Sequence, residues 1–302
     1  MKGKTIAIFI PAWNEERSIG SVVLGAKKYG QVLVIDDGSN DRTAEIAKAA
    51  GAEVITHQSN GGYGAALKTA LSSAKKTSAD AFVFIDADFQ HDPDEIPLVA
   101  APVLQGRADV CLGSRFLGKT IGAPEYRTAG VKALNRLSGI HAAMGGKETD
   151  DNSFDFQCGF RAFSKKAIGK VNVEEDGYEA CAEIIVSALR AGLKVAEVPV
   201  TIRYYGEGNG KNPMVHGVGL LGYVVNAIAK KKPLVVFGLG GVLLLAVSAL
   251  LGIFVVRTFY GTGVLALGSA LLTVFAGIAG FVFILIGINL YTLQALLERR
   301  EK

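Results

Sequence analysis

The sequence has few of the residues that build zinc, redox and disulfide sites. Its 302 residues include three cysteines, four histidines and one tryptophan. Cys111, Cys158 and Cys181 lack the close spacing of zinc ligands, so we expect free thiols in a reducing compartment. The net charge of +4 is too small to indicate a nucleic-acid partner. These scarcities exclude disulfide scaffolds, zinc-ligated modules and nucleic-acid-binding domains.

Charge is absent from two long stretches near the C-terminus. No Asp, Glu, Lys or Arg occurs in 233–256 or in 264–297. Each stretch exceeds the ~20 apolar residues that a helix needs to cross a bilayer. We therefore predict transmembrane helices at 233–256 and 264–290, with a tail at 291–302. A pair of buried core helices is the alternative, which the short connection "RTFYGTG" disfavours.

Basic residues flank these stretches on one side. Lysines occupy 230–232, two arginines and a lysine lie among the last four residues, and the connecting loop has only Arg257. The positive-inside rule then predicts cytoplasmic termini and an integral, two-helix membrane protein. We expect a cytoplasmic domain at 1–212. Apolar residues at helical spacing in 213–232 predict a juxtamembrane helix, lying at the interface or packed on the domain.

The first 114 residues alternate short apolar runs with amphipathic segments, a pattern typical of an α/β domain with a mostly parallel sheet. Ligands of such sheets bind at the carboxyl ends of the strands. The predicted strands are 5–10, 31–36, 52–56, 81–86 and 109–114. The predicted helices are 15–29, 41–50, 64–77 and 94–105.

Three turns follow the first three predicted strands. In "PAWNEE", Pro11 is expected to end the strand, and Trp13 offers a flat face for a base or sugar. In "DDGSNDRT", Asp36 and Asp37 offer acceptors for ribose hydroxyls or base N–H groups. "NGGYGAALKTA" is a glycine-rich turn into a helix carrying Lys68, a pattern that lets backbone approach phosphate. Each turn alone is ordinary loop chemistry, whereas together they predict a nucleotide pocket.

The stretch "VFIDADFQHDP" ends the fourth predicted strand with a crowd of acidic residues. If it is extended, Asp86, Asp88 and Gln90 point the same way and offer oxygen ligands suited to Mg²⁺ or Mn²⁺. By the same parity, His91 points away and is structural or solvent-exposed. The acidic residues beside Pro93 are expected to begin the next helix.

These motifs, with "GSRF" and "DFQCGFRAFS", resemble in order and spacing the family-2 glycosyltransferases. More narrowly, they resemble the polyprenyl-phosphate sugar transferases, the group of dolichyl-phosphate mannose synthase and its glucosyl relatives. The resemblance covers roughly 5–212. It implies a GT-A (Rossmann-like) fold and inverting, Mg²⁺- or Mn²⁺-dependent transfer of a hexose. The implied donor is a nucleotide-sugar of the GDP-mannose or UDP-glucose type, and the implied acceptor is a dolichyl or undecaprenyl phosphate.

The resemblance also implies roles for individual residues. Those expected to bind the nucleotide-sugar are Pro11, Ala12, Trp13, Glu15, Asp36, Asp37, Lys68, Asp86 and Ala87. Those expected to bind the acceptor phosphate or the diphosphate are Arg115, Arg127, Arg161, Arg203 and Lys211. The metal ligands would be Asp86, Asp88 and Gln90, and the catalytic residues Asp88 and Asp155. The chain departs from the family pattern at Cys158, which replaces Ser or Thr, and at "GEGNGK" around Lys211.

A phosphate acceptor needs no strong general base, because it is already deprotonated, with a charge of about −1.5 to −2. Asp155 would then orient groups or stabilise positive charge at the sugar carbon. Transfer to a lipid-linked sugar or another hydroxyl is the alternative, and it requires a base, Asp155 or Glu179.

Two further alternatives are less favoured. A processive polysaccharide synthase carries "QxxRW", and the only tryptophan here is Trp13. A non-catalytic membrane adaptor would be expected to have lost the acidic cluster of "DADFQ", which this chain keeps. The sequence leaves the sugar, the nucleotide and the lipid open.

Overall fold

A computed structural model describes residues 3–122, 154–204 and 233–300, with side chains to 293. The chain divides into two compact units, Met1–Leu221 and Gly222–Lys302. The predicted juxtamembrane helix at 213–232 lies outside the described residues, as do Arg127 and Lys211.

The first unit contains seven strands and six helices within the described ranges. The strands are β1 (Ile6–Ala12), β2 (Gln31–Asp36), β3 (Glu53–Thr56), β4 (Ala81–Phe84), β5 (Val110–Ile121), β6 (Arg161–Phe163) and β7 (Val195–Arg203). The helices are α1 (Ile19–Ala26), α2 (Thr43–Ala49), α3 (Tyr63–Lys76), α4 (Ile96–Leu104), α5 (Lys165–Lys170) and α6 (Ala180–Arg190). A short 3₁₀ turn, Pro93–Glu95, precedes α4.

The strands form one sheet in the order β3-β2-β1-β4-β6-β5-β7. β1 pairs in parallel with β2 and β4, β2 with β3, and β5 with β7. β6 is antiparallel to both of its neighbours, β4 and β5. The predicted mostly parallel α/β sheet is thus confirmed. The carboxyl ends of β1, β2 and β4 meet at one edge.

Apolar side chains cover both faces of the central strands. Phe9 of β1 stacks on Phe84 of β4, with ring centroids 5.2 Å apart, and Phe84 meets Phe163 of β6 edge-on at 5.2 Å. Burial of each such ring is worth about 2–3 kcal/mol. The surrounding helices bury apolar stripes at helical spacing, as in α1 with Ile19, Val22, Val23 and Ala26. The polar residues at the carboxyl edge of the sheet are therefore attached to strands that are packed in a buried apolar core.

Pro11 does not end β1, contrary to the prediction. β1 continues to Ala12, and Pro11 is aligned with Ile35 of β2. The pairing of β1 with β4 reaches only to Phe9, so β1 has one strand neighbour at Pro11. The missing N–H there removes fewer ladder bonds than in a strand paired on both sides.

The second unit contains two long apolar helices, α7 (Pro233–Thr262) and α8 (Leu267–Arg300). Both have mean hydropathy 2.7 over their most apolar windows, of which only 6% and 11% is buried. A core helix of a soluble protein would be mostly buried, so these helices fit the predicted membrane spans. Both end later in the sequence than predicted, and α8 begins at Leu267 instead of at 264. They pack closely where Gly241 meets Gly280, since a Cβ at Gly241 would lie 2.6 Å from the Gly280 carbonyl oxygen.

Candidate active site

Two loops at the carboxyl edge of the sheet are joined by hydrogen bonds. Asn14 N–H donates to Ser39 Oγ at 2.9 Å, and Asn40 N–H donates to Asn14 Oδ1 at 2.9 Å. Glu15 N–H donates to Thr43 Oγ1 at 2.7 Å. The turn after β1 and the turn after β2 thus form one wall, as expected for neighbouring parallel strands.

Two of the carboxylates predicted to bind the nucleotide, Asp36 and Asp37, are buried. Asp36 is 1% exposed and Asp37 is 3% exposed. Asp37 accepts hydrogen bonds from Gly61 N–H at 3.0 Å and Gly62 N–H at 2.8 Å, and its Oδ1 lies 2.7 Å from His57 Nδ1. In the described structure, Asp37 therefore fastens the glycine-rich turn to the end of β2.

An amide of the glycine-rich turn and the side chain of Lys68 in α3 donate hydrogen bonds to the loop before α6. Gly64 N–H donates to the Asp176 carbonyl at 2.7 Å. Lys68 Nζ donates to Asp176 Oδ1 at 2.6 Å and to the Glu174 carbonyl at 2.5 Å. Because these donors hold the loop before α6, the geometry does not favour the phosphate interpretation of this turn. The nucleotide role of Lys68 stays a prediction.

The acidic segment after β4 is not extended, which overturns the parity argument. β4 ends at Phe84, and Phe89 has φ of 60°, a left-handed conformation. Gln90 N–H donates to Asp88 Oδ1 at 3.0 Å, closing a turn. Alternation of side chains applies to strands and not to such a turn. The metal-ligand roles of Asp86, Asp88 and Gln90 stay predictions.

Asp86 is held from three sides and is 28% exposed. The Tyr63 hydroxyl donates to its Oδ1 at 3.0 Å, and His91 Nε2 lies 3.9 Å from its Oδ2. A Cβ at Gly159 would lie 2.2 Å from Oδ2, so the Gly159 backbone packs directly against the carboxylate. The backbone of "DFQCGFR" therefore lies in direct contact with the Asp86 carboxylate.

His91 was predicted to be either structural or solvent-exposed. It is only 4% exposed, so the structural role is the one that agrees with the fold. Its ring lies 5.2 Å from the Phe160 ring. Burial, partly offset by the Asp86 charge, lowers the pKa of His91 to about 4, so the imidazole is neutral at pH 7. Burial and the neighbouring Asp86 raise the pKa of Tyr63 well above its usual value, so its phenol keeps its proton.

The segment after β4 carries carboxylates, the type of ligand that a hard divalent cation takes. Among the described residues no group of three or more His, Cys, Asp or Glu side chains is placed to hold a metal. Mg²⁺ characteristically takes one or two protein carboxylates and completes its shell with phosphate oxygens and water. Asp86 and Asp88 match that pattern, in which the donor diphosphate would supply the remaining ligands.

Arg115 and Asp155 form a buried pair. Asp155 is 0% exposed, and its Oδ2 accepts from Arg115 Nε at 2.6 Å and from Arg115 N–H at 3.1 Å. Its own N–H donates to Glu197 Oε1 at 2.6 Å. Burial alone would lower the pKa of Arg115, but the charge and hydrogen bond of Asp155, together with the neighbouring Cys158 and Tyr204, more than offset this and the pKa rises. In this arrangement Asp155 anchors Arg115 instead of facing an open site.

The two other described arginines of the predicted acceptor set lie in different places. Arg161 is 2% exposed and donates to the carbonyls of Cys158 at 2.5 Å and Phe156 at 3.2 Å, so it braces "DFQCGFR" from within. Arg203 Nη1 donates to Asp92 Oδ2 at 2.9 Å, next to the acidic segment. The geometry thus brings Arg203 to the candidate site and places Arg161 in the core.

Of the remaining predicted residues, four lie at the end of β1 or in the turn after it, and one follows β4. Pro11, Ala12 and Ala87 are buried, whereas Trp13 and Glu15 are half-buried. Burial raises the pKa of Glu15; a Ser18 hydrogen bond opposes this and the nearby Asp86 charge adds to it.

The sequence interpretation missed Tyr63 and Tyr178, whose rings stack at 5.0 Å beside Asp86. "NGGYGAALKTA" does contain Tyr63, but nothing local indicates its partners.

Asp92 accepts from Asp94 N–H at 3.0 Å and begins the 3₁₀ turn before α4, as predicted. The side chain of Asp94 instead accepts from Lys28 and Tyr29, and α4 itself begins at Ile96.

Comparisons with known proteins identify the family. The model of glycosyl transferase family 2 matches residues 7–171. The chain is 34% identical over 239 residues to a UDP-N-acetylglucosamine–dolichyl-phosphate N-acetylglucosaminyltransferase of Methanococcus voltae, covering 71% of this chain and 93% of that protein. It is 28% identical over 221 residues to a dolichol-phosphate mannosyltransferase of Pyrococcus furiosus, covering 68% and 58%.

A solved structure shares the fold. It is the glucosyl-3-phosphoglycerate synthase of Mycobacterium tuberculosis in complex with Mn²⁺, UDP and glucosyl-3-phosphoglycerate. It matches with a TM-score of 0.57 and 22% identity, covering 75% of this chain and 79% of that one. Another structure of that synthase holds Mg²⁺ and UDP. The predicted GT-A architecture and the predicted enzyme class, a family 2 hexosyltransferase, are confirmed. The chain belongs to glycosyl transferase family 2, and its resemblance to the polyprenyl-phosphate sugar transferases is borne out by these relatives.

Proposed function

We propose that the protein transfers a hexose from a nucleotide-sugar to a polyprenyl phosphate, with inversion at the sugar carbon. One observation carries the proposal: "DFQCGFR" contacts both halves of the site. Gly159 of this motif packs on Asp86, and Asp155 of the same motif holds Arg115. The acidic segment that would bind a cation and donor, and the guanidinium that would bind an acceptor phosphate, are thus both contacted by this one motif.

The division of charge suits two anionic substrates. The donor diphosphate and the acceptor monophosphate, which carries about −1.5 to −2, repel each other. A divalent cation held by Asp86 and Asp88 would neutralise the departing diphosphate. Arg115 offers a planar fork that matches phosphate oxygens. Because Asp155 fixes its Nε, the guanidinium keeps one orientation.

The proposed bond changes balance without a redox partner or a covalent enzyme intermediate. An oxygen of the acceptor phosphate attacks the anomeric carbon, and the bond from that carbon to the diphosphate oxygen breaks. The nucleoside diphosphate leaves with the bonding electron pair. Attack opposite to the leaving group inverts the anomeric centre.

The position of Asp155 argues against one of the two bases predicted for the hydroxyl-acceptor alternative and leaves Glu179 as the other. A hydroxyl nucleophile needs a base within hydrogen-bond reach. Asp155, one of the two predicted bases, is fully buried and bound to Arg115. A phosphate nucleophile needs no such group.

The relatives support a lipid phosphate acceptor and leave two donor classes. The Methanococcus voltae protein is named for UDP-N-acetylglucosamine and dolichyl phosphate, and the Pyrococcus furiosus protein for mannosyl transfer to dolichol phosphate. The apolar helices α7 and α8 would tie the enzyme to the bilayer that contains such an acceptor. Their basic flanks support a cytoplasmic catalytic domain and cytoplasmic termini.

The test is transfer in detergent with purified protein, polyprenyl phosphate and each of GDP-mannose, UDP-glucose and UDP-N-acetylglucosamine. We expect one donor to give a lipid-linked sugar with Mg²⁺ or Mn²⁺, and no product with a chelator. Asp88→Asn should abolish transfer. Asp94→Asn is the matched control, because Asp94 pairs with Lys28 and Tyr29 away from the site. Full activity of Asp88→Asn would contradict the metal assignment.

A further inference from the structure

Tyr63 and Tyr178 form an aromatic pair that ends on Asp86. The two rings lie 5.0 Å apart at an interplanar angle of 8°, a stacked arrangement. The hydroxyl of Tyr63 donates to Asp86 Oδ1 at 3.0 Å. Tyr63 is the first residue of α3, so its position is set by the helix.

The pair is fastened to the fold on both sides. The loop carrying Tyr178 is held to the start of α3 by Gly64 N–H to the Asp176 carbonyl and by Lys68 to Asp176. α3 is in turn tied to the end of β2 through the hydrogen bonds of Gly61 and Gly62. The phenol is thus presented to Asp86 from a braced support.

Among the described residues, the Tyr63 hydroxyl makes the one side-chain hydrogen bond to the Asp86 carboxylate. Within the described residues, its Oδ2 faces the Gly159 backbone and His91, and the distance to His91 Nε2 is 3.9 Å. That distance is too long for a hydrogen bond. Packing against Gly159 limits where the carboxylate can lie, whereas the directional bond comes from the phenol.

We propose that Tyr63 is a positioning residue, which fixes the Asp86 carboxylate for the divalent cation and donor diphosphate and is itself held by its stack on Tyr178. The inference rests on the proposed role of Asp86 in donor binding. Preorganisation of a ligand lowers the ordering cost of binding. A hydrogen bond to a charged acceptor contributes enough that its loss should weaken cation binding roughly ten-fold.

The test compares Tyr63→Phe with wild type by Mn²⁺ titration in the presence of UDP or GDP, with free Mn²⁺ read by electron paramagnetic resonance. Tyr63→Phe keeps the ring and its stack and removes only the hydroxyl. We expect Mn²⁺ affinity to fall about ten-fold and the donor KM to rise, with the acceptor KM unchanged. Tyr178→Leu should shift Mn²⁺ affinity in the same direction. Tyr29→Phe is the control, since its hydroxyl makes the same kind of bond, to Asp94 at 2.9 Å, outside the site.

Wild-type Mn²⁺ affinity in Tyr63→Phe would overturn the positioning role, even when the wild-type enzyme transfers sugar to polyprenyl phosphate. A Mn²⁺ defect in Tyr63→Phe, with a wild-type protein that does not use polyprenyl phosphate, would support the positioning role and reject the acceptor. If Tyr63→Phe raised the acceptor KM by the same factor by which it lowered Mn²⁺ affinity, the change would indicate general damage to the site and would overturn the proposal.

Discussion

Replacement of Asp155 by Asn tests whether this carboxylate holds Arg115 in place or acts at the reacting sugar carbon. Asn keeps the shape and removes the charge that faces Arg115. In the structure, Oδ2 accepts two bonds from Arg115, and Oδ1 accepts one from Gln157 N–H at 3.3 Å. With the carboxylate gone, the Arg115 charge is left buried, since its side chain is 13% exposed.

Removing one partner of a buried pair costs about 3–5 kcal/mol. The slight exposure of Arg115 favours the lower end, about 3 kcal/mol. An exposed pair of the same charge type, Lys28 with Asp94, has side chains 59% and 60% exposed and contributes little to stability, because water screens the two charges. Asp155→Asn should therefore destabilise the first unit clearly more than Asp94→Asn does.

The measurement is urea unfolding in detergent micelles followed by tryptophan fluorescence. Trp13 is the only tryptophan, so the signal reports on the first unit alone. We expect Asp155→Asn to lower the free energy of unfolding by about 3 kcal/mol and to raise the acceptor KM. The double variant with Arg115→Gln should lose less than the sum of the two single changes, because each removes the same pair.

An Asp155→Asn protein with wild-type unfolding and unchanged acceptor KM, but greatly reduced kcat, would refute this reasoning. Asp155 would then act on the sugar carbon, and the buried pair would not describe the working enzyme.

Three further predictions follow from single contacts. Gly159→Ala should reduce sugar transfer by more than about ten-fold, because its Cβ would displace Asp86, whereas Gly169→Ala, with nothing within 4 Å, should leave transfer unchanged in the same assay. His91 has a folded pKa of about 4, below its unfolded value of about 6.5. The free energy of unfolding should thus fall as pH drops from about 6.5 to 4, by on the order of 3 kcal/mol in urea titrations, and His91→Gln should remove that dependence; a flat wild-type profile would contradict it. Lys68→Met should change the donor KM by less than about two-fold, since its ammonium is already bound within the protein; a large increase would restore its nucleotide role.

The strands and helices with long, regular patterns could be predicted from the sequence. β2 and α3 lie within one residue of their predicted ends, because alternation and helical spacing are local properties. β6, β7, α5 and α6, all beyond residue 114, were not predicted; of these, β6 has only three residues, too few to show a periodicity. Pro11 was misjudged because the effect of a missing N–H depends on which neighbours β1 has at that point.

The candidate site was only partly predictable for a related reason. Its acidic residues stand out in sequence, but the left-handed Phe89 and the turn it makes do not. The contacts of Asp86 come from Tyr63, His91 and Gly159, which lie on separate segments. Burial decides whether a charged residue faces substrate or a partner, and it appears only in the folded chain, as Arg161 illustrates.

Identification of the two products of one turnover tests directly whether the protein transfers sugar to a lipid phosphate. With polyprenyl phosphate and the preferred nucleotide-sugar, mass spectrometry and nucleotide chromatography give the lipid product and the released nucleotide. We predict a polyprenyl-phosphate sugar with a single phosphate and one equivalent of nucleoside diphosphate, and neither product with Asp88→Asn. Release of nucleoside monophosphate with a lipid diphosphate, or sugar attached to a hydroxyl acceptor while polyprenyl phosphate stays unused, would contradict the account.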